Sequence, residues 1–192
     1  MKYYAIKADN FKKIVESWPE CQEIIKTLKS PKFKSFSFKE EAEAFLEDKE
    51  YSDGVKGVKA YIDGSYDEKT NRYGFGGVLI IDGKEFKYKK GFDADEYSSL
   101  RNIAGEIKGA GFIINYCIKE GIKELHIFYD YLGIEKWYTG EWNANSSIAI
   151  KYQEFAKTAK EKINVIFHKV KSHTNNKYND MADILAKESI GI

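Results

Sequence analysis

Four acidic residues carry the chemistry this chain can be read for: Asp63, Glu106, Asp130 and Asp183. Asp63 lies mid-run in VKAYIDGSY, an apolar strand pattern, and Asp130 ends a second strand pattern, ELHIFYD. Glu106 falls inside the helical stretch SLRNIAGEIKGAGFIINYCIKEG, and Asp183 inside a late one, NDMADILAKES. A carboxylate on an element that packs into a core is costly unless its charge is compensated. Divalent cations would compensate it, and clustered carboxylates are hard oxygen donors that suit Mg²⁺ or Mn²⁺ rather than zinc. Two such ions, about 4 Å apart, can hold the attacking water and the leaving 3′ oxygen of a phosphodiester. Taken singly, each acid also has an ordinary reading. Asp63-Gly64 is common turn chemistry, Asp130 could cap a helix, and Glu106 and Asp183 could face water. Asp180 stands three residues before Asp183, so the two can share a helix face, and spacing alone does not choose between them.

The elements that must position these acids fall into two blocks. Residues 1–48 read as strand, strand, helix, strand, helix, a small α+β domain with a three-stranded sheet. YYAIK and KKIVESW are strand runs. SWPECQEIIKTLK opens like a helix, with Ser17 at the N-cap, Pro19 in the first turn and Glu20 three residues on. PKFKSFSF alternates through Phe33, Phe36 and Phe38, and KEEAEAFLED is a short acidic helix. The polar KEYSDGVKG, 49–57, reads as a linker. Residues 58–192 form the second block. VKAYIDGSY, RYGFGGVLII and KEFKYKKGF are three successive strands, the last two joined by Asp82-Gly83, a two-residue hairpin signal. A long amphipathic helix follows, with apolar positions at Leu100, Ile103, Ile107, Ile114 and Ile118. Then come LHIFYD, helices through Trp137 and over 148–160, the strand INVIFHKV and a closing helix. Three antiparallel strands followed by alternating helix and strand imply an α/β fold, a mixed five-stranded sheet flanked by helices.

Composition narrows the setting. The 192 residues hold 43% apolar side chains, enough for a real core, and 32% charged ones with a net charge of only +1. A chain this balanced does not coat nucleic acid by bulk charge, so any such binding must use local patches and stacking. One patch is visible: up to Phe38 there are eight lysines against four acids, after which Glu40–Glu50 is acidic. A second is the hairpin run Lys84, Lys87, Lys89 and Lys90, which reads equally as phosphate contact or as a guarded edge strand. Cys21 and Cys117 have neither metal nor disulfide spacing and read as small buried hydrophobes. The N-terminus lacks a signal-peptide h-region and no apolar run approaches membrane-spanning length, so a soluble, reducing, cytoplasmic monomer is expected.

YIDGSY, RNIAGEIKGA, IFYD and VKSHTNNKYNDMADILAKE, in that order, resemble type 1 ribonuclease H. Residues 1–48 resemble the hybrid-binding, viroplasmin-like domain that often precedes it. The matching pieces are Tyr3-Tyr4-Ala5, Ser17-Trp18-Pro19-Glu20-Cys21 and Lys32 to Phe36. The resemblance implies a ribonuclease H-like fold and an endonuclease that cuts RNA in RNA/DNA hybrids with two Mg²⁺ ions, Mn²⁺ substituting. It implies that Asp63, Glu106, Asp130 and Asp183 are catalytic metal ligands. Asp183 is chosen over Asp180 because it lies ten residues after His173 and precedes Ile-Leu-Ala. His173 matches a loop histidine that aids proton transfer or product release. Asn102, with the backbone at Gly64 and Ser65, would contact RNA 2′-hydroxyls. Tyr4, Trp18, Phe33 and Lys34 match positions that touch the hybrid, and this domain could also take double-stranded RNA.

The chain departs from the family pattern in several places. Tyr131-Leu132 follows Asp130 where polar residues are usual. The stretch TGEWNANSS, 139–147, replaces a long basic insertion. Ala8-Asp9-Asn10-Phe11 replaces a glycine-containing turn, and Ser35 stands where a second lysine is common. Two rival readings share the fold pattern: a non-catalytic binder with a decayed nuclease domain, and a recombinase or transposase core. The four intact acids speak against the first, and the small N-terminal domain against the second.

Overall fold

A computed structural model describes residues 2–36, 39–47, 55–170 and 176–192. The chain divides into two compact units, Met1–Gly54 and Val55–Ile192. The division falls inside the expected 49–57 linker, of which residues 49–54 lie outside the described ones.

The first unit is a sheet in the order β2-β1-β3, with β1 (Tyr3–Ala8) antiparallel to both β2 (Phe11–Val15) and β3 (Lys32–Phe36). Helix α1 (Trp18–Thr27) begins where Ser17 accepts a hydrogen bond from the Glu20 backbone N–H at 3.3 Å. This cap corrects the reading of KKIVESW as a strand through Trp18: strand β2 stops at Val15 and Trp18 becomes the first residue of the helix. Alternation sends Ile6 and Val15 to one face, where they pack with Cys21 of α1. It sends Ala5 and Phe36 to the other, against Ala42 and Leu46 of α2 (Lys39–Leu46). Each face is therefore covered by one helix, and the core is split into two thin layers.

The second unit holds a five-stranded sheet in the order β6-β5-β4-β7-β8. Strands β4 (Lys59–Asp67), β5 (Arg72–Ile81) and β6 (Lys84–Phe92) are antiparallel, whereas β7 (Glu124–Tyr129) runs parallel to β4 and β8 (Asn164–Lys169) parallel to β7. Asp82 and Gly83 have φ of 50° and 76°, the doubly left-handed pair that a tight hairpin between right-twisted strands requires. Helices α3 (Asn102–Lys119), α4 (Gly133–Thr139) and α5 (Ser147–Ala159) close the larger core over Ile62, Leu79, Leu125 and Ile127. Helix α6 (Lys177–Ile190) closes a smaller one over Tyr61, Val78, Ile80 and Phe128. Burial pushes the Cys117 thiol up to about 12, so both free cysteines are buried and Cys117 is chemically quiet.

The long helix starts later than its periodicity suggests. Leu100 closes a single 3-10 turn, Ser98–Leu100, and Arg101 breaks it with φ 53° before α3 begins at Asn102. The break lets α3 lie directly on the sheet through glycine. A Cβ on Gly105 would sit 2.0 Å from the Gly74 carbonyl oxygen, and one on Gly64 would sit 2.1 Å from the Asn102 carbonyl oxygen. No side chain fits between these backbones, so the height of α3 above β4 and β5 is set by the absence of two methyl groups.

Candidate active site

That close contact decides where Glu106 goes. Residue 105 rests on the sheet, so residue 106 is carried to the level of β4, fully buried. On β4 successive side chains alternate: Ile62 joins the α3 core, and Tyr61 packs on Tyr178 of α6. Asp63 shares the face of Tyr61. The β4–β7 ladder ends at the pair Tyr61–Phe128, and Asp130 lies one residue beyond the end of β7 rather than on it. Past that point the β7 side of β4 has no strand partner among the described residues. Glu106, Asp63 and Asp130 meet there, each offering a carboxylate oxygen within 4.8 Å of the others.

The cluster is electrostatically tense. Burial and the facing Asp130 carboxylate hold Asp63 up at about 7, with a further rise from Asp183; the Gly64 backbone N–H, donating to Oδ1 at 2.7 Å, and Lys187 oppose it. Burial, then Asp130 and Asp63, hold Glu106 well above the usual carboxylate range. One of its oxygens accepts from the Asn102 side-chain amide at 3.3 Å, while Oε2 is buried with no hydrogen-bond partner among the described residues. An orphaned buried carboxylate oxygen facing two further carboxylates is the donor set that a hard divalent cation fits.

These shifts fix the sign of a pH effect. A carboxyl that holds its proton more tightly folded than unfolded destabilises the fold once the pH exceeds its unfolded value. For Asp63 the loss runs from about pH 4 up to about pH 7, and Glu106 adds to it in the same direction. The metal-free protein is therefore expected to melt lower in EDTA at pH 8 than at pH 5.5. Saturating Mg²⁺ should cancel the difference. An EDTA melting curve that rises over this interval would contradict the assignment.

The surrounding cleft has a volume of about 530 Å³ and is lined by Asp63, Gly64, Ser65, Asn102, Asp130, Asp180 and Asp183, among others. Seven residues singled out from the sequence, Asp180 among them, thus share one cavity, with Glu106 beneath it. Asp183 and Asp180 both reach the cleft from α6, but Asp183 stands outside the three-carboxylate cluster and holds Lys187 at 2.7 Å. His173 lies outside the described residues. Sequence reasoning passed over Lys187, Arg101 and Asn179, which also line the cleft. Lys187 had a signal, because it follows Asp183 by four residues on a helix. Arg101 had none, since nothing in an arginine announces a left-handed backbone; its guanidinium pairs with Glu68 at 3.1 Å.

In the first unit, Tyr4, Trp18 and Phe33 form an aromatic row, with ring centroids 5.5 Å and 6.1 Å apart. Trp18 and Phe33 are 40% and 45% exposed, unusual for large apolar side chains in so small a core. Lys34 belongs to the opposite face of the sheet, with its ammonium over the Phe36 ring.

Comparison with known proteins adds to this geometry. Residues 2–46 match the family model of the Ribonuclease H1 N-terminal domain. Over 60 residues, 30% of this chain, the sequence is 38% identical to the Ribonuclease H of Prosthecochloris aestuarii and covers 41% of that protein. Over 141 residues it is 22% identical to the Ribonuclease H of Chlorobium limicola, covering 70% of this chain and 96% of that one. Among solved structures, LC11-RNase H1 in complex with RNA/DNA hybrid superposes with a TM-score of 0.55 at 13% identity, over 69% of this chain and 99% of that one. At that identity the likeness speaks for the fold. No helix among the described residues is long and apolar enough to cross a membrane.

Proposed function

We propose that this protein, which joins a Ribonuclease H1 N-terminal domain to a ribonuclease H fold, is a ribonuclease H that hydrolyses the RNA strand of RNA/DNA hybrids with divalent metal. The observation that carries this reading is the carboxylate cluster at the open edge of β4, with its orphaned Glu106 oxygen. Asp63, Glu106 and Asp130 would hold the metal, Mg²⁺ or Mn²⁺, and Asp183 would complete the set from α6. When bound, two such ions would activate a water for in-line attack and stabilise the leaving 3′ oxygen, giving 5′-phosphate and 3′-hydroxyl ends.

The chain's own groups have separable tasks. Asn102 fixes the orientation of Glu106 by donating to its carboxylate. Asn102, Gly64 and Ser65 line the cleft, where hydrogen bonds to 2′-hydroxyls would tell RNA from DNA. His173, three residues before the α6 cap Asn176, is proposed to carry a proton or assist product release. The fold of the second unit is one that holds an RNA/DNA hybrid in the LC11-RNase H1 complex.

The exposed aromatic row of the first unit supports a duplex-gripping role, since a ring against sugar or base contributes about 1–3 kcal/mol. Trp18→Ala is expected to weaken hybrid binding about tenfold in metal-free filter binding, while the cleavage rate at saturating hybrid stays unchanged. An unaltered affinity would return Trp18 to a purely packing role.

The activity itself is tested by offering the protein a labelled RNA/DNA hybrid, single-stranded RNA, double-stranded RNA and DNA duplex. Cutting of the hybrid's RNA strand alone, with Mg²⁺ or Mn²⁺, is the expected result. Binding of the hybrid with no cutting under either metal would overturn the reading in favour of a non-catalytic binder.

A further inference from the structure

Among the described residues two cations line the acidic cleft, Arg101 and Lys187, and they are engaged differently. Arg101 is turned to Glu68 at 3.1 Å. Lys187 reaches inward, its ammonium 2.7 Å from Asp183 Oδ2, and its charge is felt at Asp63 as well. Asp183 is also the one of the four acids that stands apart from the cluster within 4.8 Å. The ammonium and the missing fourth carboxylate are therefore one observation: the carboxylate is already held by a cation that belongs to the protein. The Lys187 side chain is 48% exposed and that of Asp183 31%, so the ammonium can withdraw into water on its flexible stem.

We propose that Lys187 is a positioning residue, a resident counter-ion that holds Asp183 off the carboxylate cluster until a divalent cation replaces it. It thereby sets the cation concentration at which the cleft fills. The proposal rests on the metal-dependent reading above. An ammonium and a divalent cation compete for the same carboxylate, and the ammonium repels an arriving ion at close range. Without metal, the same ammonium offsets part of the repulsion among the acids. Removing it has two consequences of opposite sign: the empty cleft loses a compensating charge, and its pull on a cation grows. The i, i+4 spacing on α6 makes the pairing local, so it forms without help from the rest of the fold.

The test uses the full chain as wild type, Lys187→Met, which keeps an apolar stem, and Lys187→Arg, which keeps the charge. Mn²⁺ is titrated into each by calorimetry, and each is melted in EDTA. Lys187→Met is expected to bind Mn²⁺ about three- to tenfold more tightly, as loss of a half-exposed like charge implies, and to melt lower without metal. Lys187→Arg should stay near wild type in both. The Mg²⁺ concentration for half-maximal hybrid cleavage should fall in Lys187→Met by a similar factor. Wild type that binds Mn²⁺ alongside a Lys187→Met of equal or weaker affinity would overturn this proposal alone. Wild type that binds no Mn²⁺ would overturn the metal reading of the cleft and this proposal with it.

Discussion

Replacing Asp63 with asparagine is expected to lower hybrid cleavage at least about a thousandfold and to raise the melting temperature of the metal-free protein. The first effect follows from position. Asp63, Glu106 and Asp130 all face one another, so without the charge of Asp63 a shared cation loses one of its three converging carboxylates. Several kcal/mol of metal-derived stabilisation of the transition state would go, and each 1.4 kcal/mol is a factor of ten. The second effect follows from burial. Asp63 is held up at about 7 by desolvation and by Asp130, so near pH 8 its charge opposes folding. The shift from 3.8 to about 7 corresponds to roughly 2–4 kcal/mol after allowance for partial exposure. A neutral amide of the same shape should recover much of it, a gain of about 5 °C or more in EDTA. Hybrid affinity should survive, because the aromatic row is untouched. Activity lost and stability gained in one substitution is the signature of a residue kept for chemistry. A metal-free Asp63→Asn that melts below wild type would contradict the electrostatic account.

Gly105→Ala should behave in the opposite way, losing both stability and activity. Its Cβ would come within 2.0 Å of the Gly74 carbonyl oxygen and 3.3 Å of the Gly64 Cα, all of it backbone that cannot rotate aside. Helix α3 must lift away from the sheet, opening contacts along its buried face from Ala104 to Cys117. A loss of about 3 kcal/mol or more is expected, on the order of 10 °C in the melting temperature. The lift also withdraws Glu106 from Asp63, so cleavage should fall at temperatures where the variant is still folded. Circular dichroism melts beside the cleavage assay separate the two losses. A variant of wild-type stability and activity would show that the helix has slack at this contact.

The acids themselves were legible in the sequence because carboxylates on apolar runs break an otherwise consistent pattern. The Asp82-Gly83 hairpin was legible for a similar reason, since few residue pairs tolerate that backbone. That five strands form one mixed sheet followed from the switch between period-two runs and helical ones, whereas their order across the sheet came only with the structure. What periodicity could not supply was the start of α3. Leu100 continues the apolar rhythm, and only the left-handed Arg101 interrupts it. Nor could it supply the gap beside β4, which exists because the parallel ladder stops at Tyr61–Phe128. Strand ends of that kind depend on pairing across the chain. The Lys187 contact lay in plain view as an i, i+4 pair but looked like ordinary surface charge until the cleft placed it beside Asp63 and Asp130. In the first unit, the sequence showed aromatic residues and lysines together. Register separates them: Phe33 pairs with Ile6 on one face, and Lys34 with Ala5 on the other. A single strand therefore contributes to the aromatic row and to the α2 core by alternation alone.

The central claim is that clustered carboxylates cut RNA by metal-dependent hydrolysis, and mapping the product ends tests it most directly. An RNA/DNA hybrid with end-labelled RNA would be incubated with the wild-type protein in Mg²⁺ and in EDTA, and the new termini identified. Attack by water in the cleft predicts cutting only with Mg²⁺, leaving 5′-phosphate and 3′-hydroxyl ends. Cutting in EDTA, or products ending in 2′,3′-cyclic phosphate, would show the RNA's own 2′-hydroxyl acting as nucleophile and would contradict the role assigned to Asp63, Glu106 and Asp130.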